Sequence, residues 1–509
     1  MKHYDAVVIG AGNAGLTAAT ALQRGGSRTL LVERHNIPGG CATSFVRGNF
    51  EFEVALHQLS GLGTEDKPFV MRKFFANLGV LDKVQFIQEH ALYRLVVPGE
   101  LDVTLPASWS GIRRLLQELY PAESDAIERF MLVCEKVSLE SFMTLPQARR
   151  ANSEAALTSM CPYFVKYGFR PAREVLDEFF SDAKLKHVLA TYWLYLGVAP
   201  SMLPFSDLAV MLYAYAVFKP WHIKGGSQAM SNALVESFIE AGGEVRFNCA
   251  VQKIHTRDGR GSAVSLEGGE TVSCAAVVSN ASPLITFNEL LDLEQPPLPI
   301  REDFKSRRMG TSAFVIYLGL DCTPQELGVT TASSFIYETP DEEQIHARMG
   351  SLEPPLGGML TCYNLEDPSA APPGKSQVVL VCLQYGDVWK SVKPEDYAQT
   401  KYAFAEKLIA LIEKVYPKVR QYIEEVEVAT PLTMMRYLNT PGGAIYGFQQ
   451  SAQDSSLLRE RLDAVPGLYT AGSWTTMGGF QPTYMAGEST ARAVLKQLKA
   501  HKANEVAHV

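Results

Sequence analysis

The sequence lacks an excess of basic residues. Its 509 residues include 47 Lys and Arg against 55 Asp and Glu, which gives a formal net charge of -8. Non-specific nucleic-acid binding depends on Lys and Arg side chains that neutralise phosphates, so this balance argues against a nucleic-acid partner. The composition, 47% hydrophobic and 20% charged, is that of an ordinary globular protein.

Cysteine pairs of the metal-binding or redox type are also missing. None of the cysteines belongs to a C-x-x-C pair, so the sequence predicts no zinc ribbon, no dithiol motif and no metal site. Free thiols in a reducing compartment are the expected state. The 8 cysteines are Cys41, Cys134, Cys161, Cys249, Cys274, Cys322, Cys362 and Cys382.

The sequence also lacks a long hydrophobic run. The longest unbroken apolar stretch, residues 208–218, is far shorter than the ~20 residues that a spanning helix needs. Residues 1–5 lead almost directly into an apolar strand, which leaves no room for a signal peptide. We therefore expect a cytoplasmic protein that does not cross a bilayer, with peripheral membrane contact as an open alternative.

What is present begins with an alternation of strand and helix. Residues 6–9 are apolar and predict a buried parallel strand, residues 16–22 predict a small-residue helix, and residues 29–32 predict a second strand. Such a βαβ opening predicts an α/β fold with a doubly wound, Rossmann-like sheet. The chain length predicts roughly two or three domains.

The later sequence indicates that this first domain is discontinuous. From residue 79 to about residue 218 the sequence is mostly helical in pattern and rich in aromatic residues, whereas a second βαβ-like stretch begins at Gly225-Gly226. We predict a dinucleotide-binding domain formed by residues 1–78, 220–300 and 435–509. An inserted α+β substrate domain is predicted for residues 79–219 and 301–434.

The first glycine turn carries the clearest chemical signal. Gly10, Gly12 and Gly15 form a G-x-G-x-x-G pattern between a strand and a helix, where backbone N–H groups can face a pyrophosphate at the positive end of the helix dipole. Glu33 closes the second strand, where its carboxylate would bind the ribose hydroxyls and repel a 2′-phosphate. The spacing therefore predicts FAD or NAD rather than NADP.

Three further stretches favour FAD, because each resembles a segment of large flavoproteins. The double glycine Gly39-Gly40 follows the acidic residue, residues 276–281 resemble the strand that returns to the nucleotide domain, and residues 467–472 resemble the C-terminal flavin-binding strand. We expect the FAD contacts to be made by Gly10, Gly12, Asn13, Ala14, Gly15, Glu33, Arg34, Gly39, Gly40, Cys41, Val251, Asn280, Ala281, Gly472, Ser473, Gly479 and Phe480.

Over nearly its whole length the chain resembles the phytoene desaturase, carotenoid cis-trans isomerase and all-trans-retinol saturase family, which has a GR2-type, amine-oxidase-like flavoprotein architecture. The resemblance is carried by residues 10–40, 225–229, 278–281, 430–433, 441–447 and 472–482. It implies an FAD-dependent oxidoreductase that desaturates, saturates or isomerises a carbon–carbon double bond. The implied substrate is a long hydrophobic molecule, such as a carotenoid, retinoid, isoprenoid or unsaturated lipid.

The sequence departs from this family at a few points. Saturases of this family look like having two cysteines after the double glycine, whereas here Cys41 is followed by Ala42. Desaturases tend to have Thr-His-Pro in the C-terminal loop, where this chain has Thr475-Thr476-Met477. The named substrates of these enzymes therefore do not carry over. His57, Tyr446 and Tyr484 are the candidate proton donors or acceptors, since they lie in segments expected near the flavin.

Two other functions remain open from the sequence. One is a flavin amine or alcohol oxidase that takes a smaller polar substrate, and the other is a non-catalytic lipid-binding escort protein of the same fold. The second needs a degraded phosphate loop, whereas Gly10, Gly12 and Gly15 are all present. Because no second G-x-G-x-x-G pattern follows, the electron donor or acceptor is unidentified.

Overall fold

The computed structural model describes residues 2–54, 58–454 and 464–507, with side chains up to residue 500. The strands are β1 (His3–Ile9), β2 (Thr29–Val32), β3 (Ser44–Arg47), β4 (Phe50–Glu53), β5 (Phe86–Gln88), β6 (Ala91–Val97), β7 (Leu101–Pro106), β8 (Trp221–Ile223), β9 (Glu244–Arg246), β10 (Val251–Arg257), β11 (Arg260–Leu266), β12 (Thr271–Ser279), β13 (Ser312–Leu320), β14 (Ser333–Tyr337), β15 (Gly357–Thr361), β16 (Ser376–Gln384), β17 (Ile423–Ala429) and β18 (Leu468–Thr470). The α-helices are α1 (Asn13–Arg24), α2 (Val70–Asn77), α3 (Trp109–Leu119), α4 (Ser124–Leu139), α5 (Leu145–Ala151), α6 (Glu154–Met160), α7 (Ala172–Phe179), α8 (Ala183–Ala190), α9 (Trp193–Leu196), α10 (Phe205–Phe218), α11 (Gly226–Glu240), α12 (Pro283–Ile285), α13 (Leu298–Ser306), α14 (Pro324–Leu327), α15 (Glu342–Met349), α16 (Tyr397–Val415), α17 (Val419–Tyr422), α18 (Pro431–Leu438) and α19 (Phe480–Ala507).

The first sheet contains the strands predicted for a dinucleotide-binding domain. Its order is β10-β11-β12-β1-β2-β9, and β18 pairs in parallel with the last part of β12. The central strand β1 is buried because both of its faces are covered, and Val8 pairs with Leu31 of β2 on one side and Val278 of β12 on the other. The parallel strands end together at the edge where α1 begins.

Small residues allow α1 to pack closely against its neighbours. A Cβ atom built on Gly487 of α19 would lie 2.2 Å from the Ala14 carbonyl oxygen of α1, so the two helices meet backbone to backbone. On another side α1 packs against α11. The three helices thus cover the sheet and fix the position of the turn between β1 and α1.

The second sheet has the order β17-β13-β16-β15-β14-β6-β7. Alternate residues of β13 point to opposite sides: Phe314 and Ile316 pack in a core with α16, whereas Val315 and Tyr317 belong to a core shared with α4, α8 and α10. The sheet therefore separates α16 from the helical region. The part of the second sheet formed by β13 and β16 faces the first sheet.

One feature of this second part differs from the prediction. Residues 79–218 were expected to be mostly helical, but residues 86–106 form β5, β6 and β7, and β6 and β7 extend the second sheet as an antiparallel hairpin. The reason lies in the turn at Pro98-Gly99, where Gly99 has a φ of 82°, flanked by alternating apolar and polar residues. The residue boundaries of the two domains stay a prediction.

The predicted α/β class is confirmed by these two sheets and their covering helices. None of the described helices combines the length and the apolarity that crossing a bilayer requires.

Candidate functional site

A cavity of about 1790 Å³ runs between the two sheets. It is lined by the carboxyl end of β1, the start of α1 and the final glycine loop on one side, and by β13, β17, α10 and α18 on the other. Pockets for a single drug-sized ligand measure roughly 300–1,000 Å³. The cavity is therefore large enough for a dinucleotide together with a second molecule.

The end of the cavity where the sequence predicts phosphate binding is built by the turn between β1 and α1. No side chain caps the helix at Gly12, so the N–H groups of its first turn are left for a ligand, and the helix dipole favours an anion there. A Cβ atom on Gly12 would lie 2.7 Å from Nδ2 of Asn280. Only glycine fits this position while Asn280 keeps its place.

Glu33 stands where an adenosine ribose is expected. Its Oε2 accepts a hydrogen bond from the Ala11 N–H at 2.6 Å, and its Oε1 accepts one from the His35 N–H at 2.8 Å. These bonds fix the carboxylate, and each oxygen keeps a further lone pair for a ribose hydroxyl. The arrangement suits the sugar of an adenine dinucleotide.

The double glycine packs directly on the phosphate turn. The Gly39 N–H donates to the Ala11 carbonyl oxygen at 2.8 Å, and a Cβ atom on Gly39 would lie 2.0 Å from the Ala42 carbonyl oxygen. The next residue, Cys41, is half-buried and lines the cavity, and burial raises the pKa of its thiol to about 12. Cys41 is therefore a neutral thiol at physiological pH.

The final glycine loop closes the same end of the cavity. A Cβ atom on Gly472 would lie 2.8 Å from Oδ1 of Asn280, and one on Gly478 would lie 2.7 Å from Cβ of Tyr446. Residues 441–447 thus pack against the loop that leads into α19. Residues 441–447 and 472–482, which both carry the family resemblance, are therefore in contact in the structure.

Most of the residues predicted to contact FAD lie in the cavity wall. They are Gly10, Gly12, Asn13, Ala14, Glu33, Arg34, Gly39, Gly40, Cys41, Val251, Asn280, Ala281, Ser473, Gly479 and Phe480. Gly15 and Gly472 lie immediately behind the wall, where they allow the close approach of neighbouring backbone or side chains. The Arg34 guanidinium donates to the carbonyl oxygens of Arg436 and Tyr437 at the end of α18.

The two described acid–base candidates, Tyr446 and Tyr484, are not brought together. Tyr446 lines the cavity, and burial raises the pKa of its hydroxyl, so it is a neutral phenol. Tyr484 instead packs in the core against Phe75, with 5.5 Å between ring centroids, because its position on α19 faces the sheet rather than the cavity. Its hydroxyl has no hydrogen-bond partner among the described residues. His57 lies outside the described residues.

The opposite end of the cavity has an apolar wall. Two aromatic stretches singled out in the sequence contribute Tyr195, Leu196, Met211, Ala214 and Tyr215. Side chains of β13, β15 and β16 complete this part of the wall. A long hydrophobic molecule can therefore lie in the same cavity as the dinucleotide.

A buried polar group in this wall was not predicted from the sequence. Gln58 lines the cavity, and its Nε2 donates to Oε2 of Glu89 at 2.6 Å. Glu89 is only 3% exposed, and burial raises the pKa of its carboxyl group to about 8. It is a protonated acid at neutral pH. No sequence motif marks this pair, since its residues come from different segments of the chain.

We expect Glu89→Gln to stabilise the enzyme in a pH-dependent way. An unfolded glutamate titrates near 4.3, so the folded chain holds one more proton than the unfolded chain up to about pH 8. Stability from this group is therefore present at low pH and is lost as the pH rises from about 4.3 toward about 8. The side-chain amide in Glu89→Gln does not ionise, so this loss of stability does not occur, and its oxygen still accepts the hydrogen bond from Nε2 of Gln58. The gain at pH 8 should be about 4–5 kcal/mol, measured by chemical unfolding.

Glu65→Gln is the matched control because Glu65 is exposed. The difference in unfolding free energy between Glu89→Gln and the unaltered protein should grow from pH 5 to pH 8 and then level off, whereas the control should show no such growth. A constant difference across this range would contradict the assignment of Glu89 as a buried neutral acid.

Fold and site together define the class of protein: a flavoprotein with a Rossmann-like sheet beside a large cavity. The sequence pattern of the flavin-containing amine oxidoreductases matches residues 13–495, and the chain belongs to this family. The family assignment, the flavin cofactor and an FAD-dependent oxidoreductase activity, all predicted from the sequence, are thereby confirmed.

Relatives and solved structures agree with this assignment. The chain is 27% identical to an all-trans-retinol 13,14-reductase from Danio rerio, over 98% of this chain and 87% of that protein. It is 25% identical to a chloroplastic prolycopene isomerase from Daucus carota, over 92% of this chain and 76% of that protein. A crystal structure of an oxidoreductase from Methanosarcina mazei shares the fold with a TM-score of 0.65 at 17% identity, covering 96% of this chain and 99% of that one.

Proposed function

We propose that this enzyme changes a carbon–carbon double bond of a long hydrophobic substrate by desaturation, saturation or E/Z isomerisation. The observation that carries the proposal is the continuity of the cavity, which joins the phosphate turn at Gly12 to an apolar wall around Met211 and Ala214. The similarity to a retinol reductase and a prolycopene isomerase supports the same class of chemistry. A small polar amine would leave most of this apolar wall unused.

The chain's own residues have two tasks in this reaction. The phosphate turn, Glu33, Gly39-Gly40 and the final glycine loop would hold FAD, which supplies or accepts hydride equivalents when bound. The apolar wall would hold the polyene and exclude water from the reacting carbons. Tyr446 stays a candidate proton donor or acceptor because its side chain borders the cavity, and His57 stays a prediction.

We also propose that the substrate enters from a bilayer. Phe142 and Met485 line the cavity. Met143 follows Phe142 in the chain and is 64% exposed, and Val70 lies beside Met485 and is 46% exposed. Phe142 packs against Phe69, with 6.2 Å between ring centroids, and thereby links Met143 to Val70. Exposed apolar side chains beside an apolar cavity suit peripheral contact with lipid.

The decisive experiment incubates oxidised and reduced holoenzyme anaerobically with candidate polyenes and unsaturated lipids in phospholipid vesicles. We expect one class of polyene to be converted. A mass loss of two hydrogens identifies desaturation, a gain identifies saturation, and an unchanged mass with altered chromatographic retention identifies isomerisation. Sedimentation of the enzyme with the vesicles tests the bilayer contact in the same samples.

The amine or alcohol oxidase alternative gives the opposite pattern. If small amines or alcohols bleach the flavin and yield hydrogen peroxide in air, while no polyene is changed in either redox state, the proposed function is wrong. Loss of vesicle binding alone would contradict only the proposed route of entry.

A further inference from the structure

A group of uncharged polar side chains lies within the apolar part of the cavity wall. It consists of Gln58, Ser60, Tyr192, Tyr195 and Tyr215, and we refer to it as the hydroxyl cluster. All of these except Tyr192 line the cavity. The three tyrosine rings pack on one another, with 5.1 Å between the centroids of Tyr192 and each of the other two.

Gln58 organises the hydroxyl cluster. Its Nε2 donates to Oε2 of Glu89 at 2.6 Å and to the Leu92 carbonyl oxygen at 2.8 Å, so both amide protons are used. The backbone oxygen of Gln58 accepts the hydroxyl proton of Tyr215 at 3.2 Å, and its Oε1 lies 3.5 Å from the hydroxyls of Tyr192 and Tyr195. A tyrosine whose proton is donated in this way keeps its oxygen lone pairs for another group.

Ser60 adds an observation that points to a ligand. Its side chain is only 3% exposed and borders the cavity, yet its Oγ has no hydrogen-bond partner among the described residues. A buried hydroxyl without a partner costs about 1–3 kcal/mol, which a polar group on a bound molecule would recover. Ser60 can donate one hydrogen bond and accept others.

The hydroxyl cluster carries no charge at neutral pH. Burial raises the pKa of Tyr192, Tyr195 and Tyr215 above the ordinary value for tyrosine. The carboxyl groups of Glu89 and the nearby Glu366 also have raised pKa values because of burial, and that of Glu89 is about 8. Neither a carboxylate nor an ammonium group would find a counter-ion beside these phenols.

We propose that the hydroxyl cluster binds an uncharged hydroxyl group carried by the otherwise apolar substrate. Tyr215 accepts the hydrogen bond from this group and Ser60 supplies the second contact. Gln58 and Glu89 are positioning residues. Gln58 borders the cavity, but its amide protons are used within the protein and its oxygens face the tyrosine hydroxyls, while Glu89 holds the amide of Gln58 in place. This inference rests on the proposed function, since the cluster lies in the cavity assigned to the hydrophobic substrate.

The test measures equilibrium binding to oxidised holoenzyme through the change in flavin fluorescence. The probes are polyenes of one chain length that end in a methyl, hydroxyl, carboxylate or ammonium group. We expect the hydroxyl compound to bind about tenfold more tightly than each of the other three. Ser60→Ala and Tyr215→Phe should each reduce this preference severalfold and leave the affinity for the methyl compound unchanged.

Tyr93→Phe is the matched control. Tyr93 packs against Tyr192 but donates its hydroxyl proton to the Val188 carbonyl oxygen, away from the cavity, so its loss should leave the preference intact. Equal binding of the methyl and hydroxyl compounds, or a preference that survives both Ser60→Ala and Tyr215→Phe, overturns the hydroxyl site alone. If none of the four polyenes binds, the proposed function fails as well.

Discussion

Gly15→Ala should produce a colourless protein. A Cβ atom at this position would lie 1.9 Å from the Gly10 carbonyl oxygen, a backbone atom that cannot move without displacing the phosphate turn. Because the turn presents its N–H groups to the pyrophosphate, a shift of this size removes several hydrogen bonds and the benefit of the helix dipole. We expect FAD affinity to fall by at least about a hundredfold, measured by flavin absorbance and by titration of the apoprotein with FAD.

Two further variants make this result interpretable. Gly26→Ala is the control, since Gly26 has a positive φ of 87° and open space around it, so alanine there costs only backbone strain of about 1 kcal/mol. Gly12→Ala is a milder test, because its Cβ atom would meet the side chain of Asn280 rather than backbone. A Gly15→Ala protein that unfolds normally and stays fully yellow would refute the proposed phosphate site.

The dinucleotide end of the cavity could be predicted from the sequence because its features are local. Gly10, Gly12 and Gly15 stand within a few residues of one another, and their roles follow from backbone geometry and close approach. The close contact between α19 and α1 was not predicted, although Gly487 supplies the signal as a glycine in the middle of a helix.

The substrate end depends on contacts between distant segments, which a single sequence does not reveal. The bond between Gln58 and Glu89 joins a loop to the start of a hairpin, and the hairpin itself was taken for part of a helical region. Tyr484 illustrates the converse problem. Its chain neighbours Thr483 and Met485 line the cavity, but Tyr484 packs in the core, because adjacent residues on a helix point in different directions.

Ala214→Trp should block the substrate without affecting the flavin. Ala214 lies on α10, in the cavity wall on the side opposite the phosphate turn, and its methyl group leaves space that an indole ring would fill. The larger side chain shortens the apolar part of the cavity, so a long rigid polyene cannot reach its bound position. We expect kcat/KM for the polyene to fall by at least about a hundredfold, with FAD content unchanged.

Val217→Phe provides the control, because Val217 is half-buried on the same helix and lies outside the cavity wall. Overpacking costs roughly 1–3 kcal/mol, so both variants should unfold at a lower temperature than the unaltered enzyme, yet only Ala214→Trp should lose turnover. Ala214→Leu, a smaller obstruction, should fall between them. If Ala214→Trp binds FAD and turns over the polyene at the normal rate, the substrate does not occupy this part of the cavity. Its path to the flavin would then have to run along the side of β13 and β17.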